Sequence, residues 1–356
     1  MLVLMAGPSS QAQSTAPQLF VLTSASGAVA VIDSSTNQVI AQIPVGRSPT
    51  RLAITPDGLK AYVSNSGSST LSVIDTANRV VTKTIPVTTG PQELAVTPDG
   101  SRVFVVHKTS GEVTVVDTST DTVVTAVAVG GNESRDVLVS PDGRFAYVAN
   151  SALSMVNVID TSTYVVVANI LTEAGPRRLA ITPTGDRLFV ADFTGGSVSV
   201  IDTVTQTLIK NVRVGNNPRG MAITPDGREI YVTNVVSNNV SVIDTATLSV
   251  VATIGVGHNP WHVAITPDGA WAYVCNAAAH SISIIDTSTD AVVNTLSVGK
   301  GPFFSVVNPS GTELYVSNSR DTLGSVSVID LASQTVSQTI QGVGPKPFDL
   351  SFDAAQ

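Results

Sequence analysis

The chain contains 356 residues, of which 13% are charged and 43% are hydrophobic, and its formal net charge at pH 7 is −8. Its single cysteine, Cys275, excludes a disulfide within one chain and is expected to be a small core residue. Beyond the N-terminal segment, no stretch approaches the roughly 18 uninterrupted apolar residues that a membrane-spanning helix needs. No membrane span is therefore predicted.

Residues 1–18 precede the regular part of the sequence. Met1–Ala6 is a short apolar run, and the small and polar residues that follow, ending in Ser10-Gln-Ala-Gln, are similar to the cleavage end of a secretory signal. The usual basic residues before the apolar run are missing, so either translation starts further upstream or this segment is a disordered tail. We expect a signal-peptide remnant or a disordered tail here, and an exported protein that is periplasmic, secreted or on the cell surface.

From residue 19 onward the sequence repeats itself. An aspartate that follows isoleucine or valine recurs at intervals of 42 to 44 residues. These aspartates are Asp33, Asp75, Asp117, Asp160, Asp202, Asp244, Asp286 and Asp330. A repeat of about 40 to 45 residues is typical of a β-propeller blade, in which a four-stranded sheet must stack on its neighbours to bury both faces.

Residues 218–259 show the internal pattern of one repeat. Four short runs rich in β-branched residues are separated by Gly, Pro, Asn or Asp, which predicts four strands. Four strands of about six residues, with three or four turn residues between them, account for the whole period and leave no room for a helix. We name them strands A to D, from the channel outward.

The ends of the chain decide the number of blades. Residues 19–45 contain strands B, C and D without an A, whereas Pro347–Phe352 has the A pattern with nothing after it. A C-terminal strand A that completes the N-terminal set would close the ring and remove two exposed sheet edges. The sequence therefore predicts an all-β propeller of eight four-stranded blades, in a single domain over residues 19–356. A seven-bladed ring is the alternative.

The strand B tetrapeptide carries a family resemblance. It reads Tyr231-Val-Thr-Asn234, and close variants begin at Tyr62, Tyr147, Tyr273 and Tyr315. With the Pro-Asp-Gly turns and the Ile-Asp motifs in register over residues 19–353, the chain resembles the YVTN-repeat β-propellers. That family includes archaeal surface-layer proteins and exported bacterial propellers, and it is similar in repeat design to lactonase and haem-d-type propellers. The resemblance implies an exported binding protein more readily than a particular reaction.

The repeat assigns its turns to two faces. If strand A runs down the channel, the A–B and C–D turns lie on the bottom and the B–C and D–A loops lie on top. The bottom aspartates are expected to shape their turns by accepting backbone N–H bonds. The period is broken near Glu133, within residues 319–324 and near Lys346, which are all top loops. Insertions confined to one face are typical of a binding side.

The two positions at the start of each strand A should point into the channel mouth. One arc of these positions is rich in arginine, and the facing arc is aromatic. The predicted ligand-binding residues are Arg51, Arg135, Arg177, Arg178, Arg219, Trp261, His262, Phe303, Phe304 and Phe348. The rings could instead fill the wide hole of an eight-bladed ring, so a pocket and a plug both remain open.

Three of the four histidines, His258, His262 and His280, fall in top loops of one repeat. Imidazoles near one another can bind a metal or act as acid and base near neutral pH. Their spacing is not that of a zinc motif, so no metal site is predicted, although these three are the candidates if one exists. His262 and His280 are the candidate catalytic residues, and no cofactor is predicted.

The sequence favours a binding or interaction module. We expect its ligand to be a small molecule, a carbohydrate or a protein, with an anionic ligand or a carbohydrate favoured. We expect this ligand to bind at the top mouth of the channel, and we expect the protein to be a monomer. The alternative is a lactonase- or lyase-like enzyme in which His262 or His280 acts as base and arginines hold a carboxylate or phosphate. Single-stranded nucleic-acid binding is a further and weaker alternative, because acidic residues share the same loops.

Overall fold

The computed structural model describes residues 16–353, which form 32 strands and contain no helix. Residues 1–15 of the predicted N-terminal tail therefore lie outside the described part of the chain. Gln18, the last residue of that predicted tail, belongs to the first strand. In chain order the strands are β1 (Gln18–Thr23), β2 (Ala28–Asp33), β3 (Gln38–Pro44), β4 (Pro49–Ile54), β5 (Lys60–Asn65), β6 (Thr70–Asp75), β7 (Val80–Pro86), β8 (Pro91–Val96), β9 (Arg102–His107), β10 (Glu112–Asp117), β11 (Thr122–Ala128), β12 (Ser134–Val139), β13 (Phe145–Asn150), β14 (Met155–Asp160), β15 (Val166–Leu171), β16 (Pro176–Ile181), β17 (Arg187–Asp192), β18 (Ser197–Asp202), β19 (Thr207–Arg213), β20 (Pro218–Ile223), β21 (Glu229–Asn234), β22 (Asn239–Asp244), β23 (Ser249–Gly255), β24 (Pro260–Ile265), β25 (Trp271–Asn276), β26 (Ser281–Asp286), β27 (Ala291–Ser297), β28 (Pro302–Val307), β29 (Glu313–Asn318), β30 (Ser325–Asp330), β31 (Thr335–Gln341) and β32 (Pro347–Phe352).

The strands form eight antiparallel sheets of four strands, which confirms the predicted propeller. Blade 1 consists of β32, β1, β2 and β3, and blades 2 to 8 follow in chain order from β4–β7 to β28–β31. Each strand A packs against strand A of the next blade, and β32 packs against β4, so the ring is closed. Strands B and C are buried almost throughout, whereas the strands D form the exposed rim.

The hydrophobic core consists of clusters between neighbouring blades. Phe20, Leu22 and Val31 of blade 1, for example, pack with Leu52 and Val63 of blade 2. Equivalent clusters join the other neighbouring pairs, including blade 8 to blade 1. Each sheet therefore buries both faces only because it has a neighbour on either side.

The bottom aspartates hold turns, as predicted. Asp160 accepts bonds from the backbone N–H groups of Ser162 and Thr163 at 2.9 Å, and the Ser162 hydroxyl donates to it at 2.6 Å. These hydrogen bonds lower the pKa of Asp160 to about 2, and the bond from the Ser162 hydroxyl has the largest effect. The same arrangement recurs at Asp117 and Asp244. These carboxylates are already satisfied by the turns that they shape.

The ring is closed by the two ends of the chain. β32 pairs antiparallel with β1, and the register places Leu350 opposite Val21 and Phe352 opposite Leu19. The side chain of Asp353 accepts bonds from the backbone N–H of Gln18 at 2.8 Å and from its side-chain amide at 3.0 Å. The predicted closing strand, Pro347–Phe352, is thus confirmed.

Truncation after Lys346 should strongly destabilise the protein, because it removes β32. This loss exposes the edge of β1 and the hydrophobic cluster between blade 8 and blade 1. Leu350 and Phe352 are buried, and losing their burial alone costs about 3 to 6 kcal/mol. Thermal unfolding followed by circular dichroism tests this expectation, with Lys346→Ala as the control for the exposed residue at the cut. A truncated chain that melts at the temperature of the full chain would contradict the closure.

Asp192 departs from a polar contact that recurs in the blades. At the end of strand B, the side-chain amides of Asn234 and Asn276 donate to Ser241 and Ser283 on strand C, both at 2.9 Å. In blade 5 the residue is Asp192, which is fully buried, and burial raises its pKa to about 7.

The hydroxyl of Ser199 lies close to two acceptors, one of which is Asp192. It lies 2.7 Å from a carboxylate oxygen of Asp192 and 2.9 Å from the side-chain oxygen of Asn211. One hydroxyl proton cannot serve both acceptors. A neutral donor at position 192 removes this conflict.

Asp192→Asn should therefore stabilise the protein by about 1 kcal/mol at pH 7. An unfolded aspartate has a pKa of about 3.9, so the wild type loses stability as the pH rises from about 4 to 7, and the gain from the substitution should shrink at acidic pH. Asn234→Asp is the reciprocal control and should destabilise at pH 7. Denaturant unfolding at pH 4.5 and 7 measures both, and equal stability of Asp192→Asn and wild type at pH 7 would count against this account.

Candidate functional site

The starts of the eight A strands converge on one small cavity at the top of the channel. Residues from every blade line it, and they include all ten predicted ligand-binding residues together with Gln92, Glu93 and Gly220. The residue before strand A has a positive φ in every blade, for example Ser48, Asn217 and Lys346. This left-handed residue turns the chain inward, and the second residue after it, the third, or both line the mouth.

The space left between these side chains is about 80 Å³. Pockets for drug-sized ligands usually measure about 300 to 1,000 Å³, so the mouth has room only for a small group. The packing around the mouth is so tight that position 220 requires glycine, because a Cβ there would lie 2.8 Å from the carbonyl oxygen of Trp261. The side chains therefore fill much of the hole, as the plug hypothesis predicted, but they leave a small polar space.

Part of the charge at the mouth is neutralised internally. Nε of Arg51 donates to both carboxylate oxygens of Glu93, at 2.8 and 2.7 Å. Nη1 of Arg178 lies 3.1 Å from Glu93 and 3.5 Å from Asp136. Glu93 therefore joins arginines from two blades that are not neighbours, and bonds of this kind are strong because both partners are charged.

Two aspartates join neighbouring blades at the same level. Asp136 accepts the backbone N–H of Leu179 at 2.8 Å, and Asp349 accepts that of Leu52 at 3.0 Å. Burial raises the pKa of Asp136 to about 7, although the positive charge of Arg178 opposes this shift. These carboxylates hold the strands that carry the arginines.

Two other arginines have no acidic partner. Among residues 16–353, no carboxylate lies within ion-pairing distance of Arg177 or Arg219. Each guanidinium lies over an aromatic ring at 3.8 Å from its centroid, Arg177 over Phe193 and Arg219 over Trp261. Burial, followed by repulsion from Arg178 and further arginines, lowers the pKa of Arg219 to about 9. Arg219 is therefore protonated at pH 7, and because it has no acidic partner, its positive charge is uncompensated.

Two buried guanidinium nitrogens lack a hydrogen-bond partner within the described part of the chain. They are Nη1 of Arg51 and Nε of Arg135. The other end of Arg135 donates to Glu133 at 3.1 Å, and Arg51 as a whole is only 8% exposed. A buried donor without a partner costs about 1 to 3 kcal/mol, and more when it is charged. Each of these nitrogens is an unsatisfied cationic donor beside the mouth, with no exposed surface of its own.

The aromatic arc is a continuous stack. The ring centroids of Trp261 and Phe303 are 4.8 Å apart, and those of Phe303 and Phe348 are 4.4 Å apart. Arg219 covers Trp261, and Arg51 lies 5.0 Å from the centre of Phe348. Most of these aromatic faces are thus occupied by side chains of the protein, so the arc forms one wall of the mouth.

The three top-face histidines have separate environments. Nδ1 of His262 lies 3.1 Å from the Ser305 hydroxyl, and the ring lies 4.0 Å from that of Phe304. Burial, together with Arg178 and other arginines, lowers the pKa of His262 to about 3. Outside the mouth, His280 accepts the backbone N–H of Gly301 at 3.0 Å, and His258 is exposed. Residues 16–353 contain no group of three His, Cys, Asp or Glu side chains that could hold a metal.

Sequence reasoning placed acidic residues in the same loops as the arginines but did not predict which of them pair. Glu93, Asp136 and Asp349 occupy the same repeat positions as the predicted site residues, so the repeat register contains the signal that identifies them. Phe193 lies in the loop after β17, and no comparable signal marks its contact with Arg177.

Three family models match parts of the chain. A YNCE-like β-propeller model matches residues 3–106, a model of seven-bladed lactonase β-propellers matches residues 118–208, and the cytochrome d1 haem domain matches residues 185–260. The chain is a β-propeller, and its repeats resemble those of the YVTN-repeat propellers. A search of curated proteins by sequence found no match.

Solved structures give the same picture. Kuenenia stuttgartiensis hydrazine synthase is 28% identical, with a TM-score of 0.65 over 80% of this chain and 96% of the other. Dihydro-heme d1 dehydrogenase NirN in complex with DHE is 18% identical, with a TM-score of 0.83 over 97% and 77% of the two chains. A functionally unknown protein from Desulfotomaculum acetoxidans is 15% identical, with a TM-score of 0.65 over 95% and 99%. The last two likenesses show the fold alone.

Two arginine substitutions should have opposite effects on stability. Arg178→Ala leaves Glu93 and Asp136 short of a cationic partner, and breaking such a buried pair costs about 3 kcal/mol. Arg219→Met removes an uncompensated charge but keeps an apolar side chain against Trp261, so the protein should be as stable as wild type or more so. Denaturant unfolding in a buffer of non-coordinating ions measures the contrast. Equal destabilisation by both substitutions would show that Arg219 has a stabilising partner.

Proposed function

We propose that this propeller is an exported binding module that holds a small anionic group, a carboxylate or a phosphate, at the mouth of its channel. The observation that carries the proposal is the set of unpaired guanidinium groups around the mouth, above all Arg219 with its uncompensated charge. Nη1 of Arg51 and Nε of Arg135, which are buried without a hydrogen-bond partner, add to the unsatisfied positive charge beside the mouth.

The charge distribution supports an anion over a cation or an apolar ligand. The five predicted arginines face four carboxylates, Glu93, Glu133, Asp136 and Asp349. Glu93 accepts bonds from Arg51 and Arg178, Glu133 accepts one from Arg135, and Asp136 lies 3.5 Å from Arg178. The mouth therefore keeps a positive excess in a chain whose net charge is −8. A narrow positive site with low-dielectric walls attracts anions strongly.

Haem binding, which the similarity to the cytochrome d1 haem domain and to NirN raises, does not fit the mouth. A tetrapyrrole needs a pocket of several hundred Å³, whereas the space here is about 80 Å³. His262 is the histidine that lines the mouth, but its ring lies against Phe304 and it bonds Ser305. The donor set of this mouth, guanidinium groups, suits an anionic group better than an iron centre.

Catalysis of the lactonase or lyase type is supported only by the family match over residues 118–208. His262 would be the base, but its pKa of about 3 makes it a weak proton acceptor near neutral pH. His280 does not line the mouth. Binding of single-stranded nucleic acid meets a similar difficulty, because most aromatic faces that would stack on bases are covered by neighbouring side chains.

Calorimetric titration with galacturonate and with inorganic phosphate, at low and moderate salt, tests the proposal. Arg219→Met should weaken binding by about tenfold or more, because it removes a charge-assisted hydrogen-bond donor, and the salt dependence should fall with it. Arg228→Ala is the matched control, since Arg228 lies in a bottom turn and its side chain is 84% exposed.

Unchanged affinity in Arg219→Met would remove the mouth as the binding site. Wild-type binding of a thymidine oligonucleotide without binding of either small anion would favour the nucleic-acid alternative. Conversion of a lactone or uronate during the titration would favour the enzyme.

A further inference from the structure

A second and larger cavity opens on the top face beside the mouth. It measures about 660 Å³ and lies where the chain ends close the ring, between the loop after β1, the loop between β3 and β4, and the residues before β32. We call it the seam groove. Its volume is in the usual range for small-molecule sites, whereas the mouth is not.

The lining of the seam groove is partly polar and carries positive charge. It includes the hydroxyls of Ser24, Ser26 and Ser66, and the cations Arg47 and Lys346. No acidic residue lines it, and neither cation forms an ion pair among the described residues. The Ser24 and Ser66 hydroxyls donate to backbone carbonyl oxygens at 3.3 and 2.9 Å, so they keep lone pairs that can accept bonds from the hydroxyls of a sugar, and the cations match an acidic sugar.

The groove adjoins the mouth. Phe348 lines both cavities, and Thr50, which lines the groove, immediately precedes Arg51 of the mouth. A ligand that extends beyond the small space at the mouth would therefore pass over Phe348 to reach the groove.

We infer that the ligand is an acidic oligosaccharide whose terminal carboxylate enters the mouth while the following sugars lie in the seam groove. The inference rests on the proposed anion site and assigns its ligand class. The mouth is too small for a whole sugar, and the groove lacks the buried, unpaired guanidinium groups of the mouth. The mouth thus supplies buried, unpaired guanidinium groups, and the groove supplies the volume that the mouth lacks.

The test compares galacturonic acid with trigalacturonic acid by calorimetry at pH 7. The trimer should bind wild type about tenfold more tightly than the monomer, because it adds hydrogen bonds in the groove. Ala25→Trp places a bulky side chain in the groove from an exposed loop position, and it should abolish the gain of the trimer while leaving monomer binding intact. The matched control is Ala278→Trp, at the equivalent exposed position of blade 7, which should behave as wild type.

A second pair of variants tests the charge of the groove. Arg47→Ala combined with Lys346→Ala should weaken trimer binding more than monomer binding. Lys108→Ala combined with Lys300→Ala removes two top-face cations that do not line the groove, and should change neither. Thermal melts of all variants verify that they fold.

The outcomes separate the two proposals. If Ala25→Trp keeps the trimer gain, or if wild type binds monomer and trimer equally, the seam groove is not part of the site, whereas the anion site at the mouth survives. If wild type binds neither galacturonic acid nor inorganic phosphate, the anion site itself fails. Triglutamate that binds as tightly as trigalacturonic acid would overturn the assignment to carbohydrate, because it offers carboxylates without sugar hydroxyls.

Discussion

Packing between neighbouring sheets is the interaction on which the rest of this molecule depends. A single four-stranded sheet has two apolar faces, and the described core consists of clusters that join one blade to the next. No blade can bury both faces unless the ring closes, so β32 must return to β1. The same closure brings the starts of all eight A strands to one end of the channel, where side chains two or three positions after the left-handed residue converge.

This convergence explains why charge accumulates at the mouth. Arginines that are about 42 residues apart in sequence meet there, and the protein neutralises only some of them. Arg51 and Arg178 share Glu93, whereas Arg219 has only the face of Trp261. A buried cation without a counter-ion is unfavourable in the free protein, and functional sites are where such unfavourable arrangements are retained. The proposed binding activity and the expected stability of Arg219→Met follow from the same imbalance.

Much of the fold could be predicted because it is encoded locally and repeated. The period, the strand patterns and the incomplete repeats at the two ends of the chain were sufficient to predict eight blades and the closing strand. The site was predicted in part, since the repeat register places Arg135 and Arg219 at the mouth. Which arginine is paired could not be predicted, because pairing depends on distances across the channel between blades that are not neighbours. The seam groove was also missed, since its volume arises from how three loops pack and leaves no residue pattern.

The histidines show the limit of sequence reasoning most clearly. Proximity in sequence suggested that His262 and His280 could act together, yet His262 faces the mouth whereas His280 accepts a backbone N–H of the next blade. Burial among arginines also changes the chemistry of His262, whose low pKa could not be deduced from its position in a loop. Local sequence patterns thus predicted which residues lie near the mouth. Their electrostatic environment could be described only from the assembled ring.

The central claim is that an anion binds to the unpaired guanidinium groups at the mouth. The most direct measurement is a nuclear magnetic resonance titration of arginine Nε–H signals with galacturonate, with each signal assigned by substitution. The account predicts saturable shifts of the Arg135 and Arg219 signals, and none of the signal of Arg228 on the bottom face. Saturable binding that leaves the signals of Arg135 and Arg219 unchanged would contradict it.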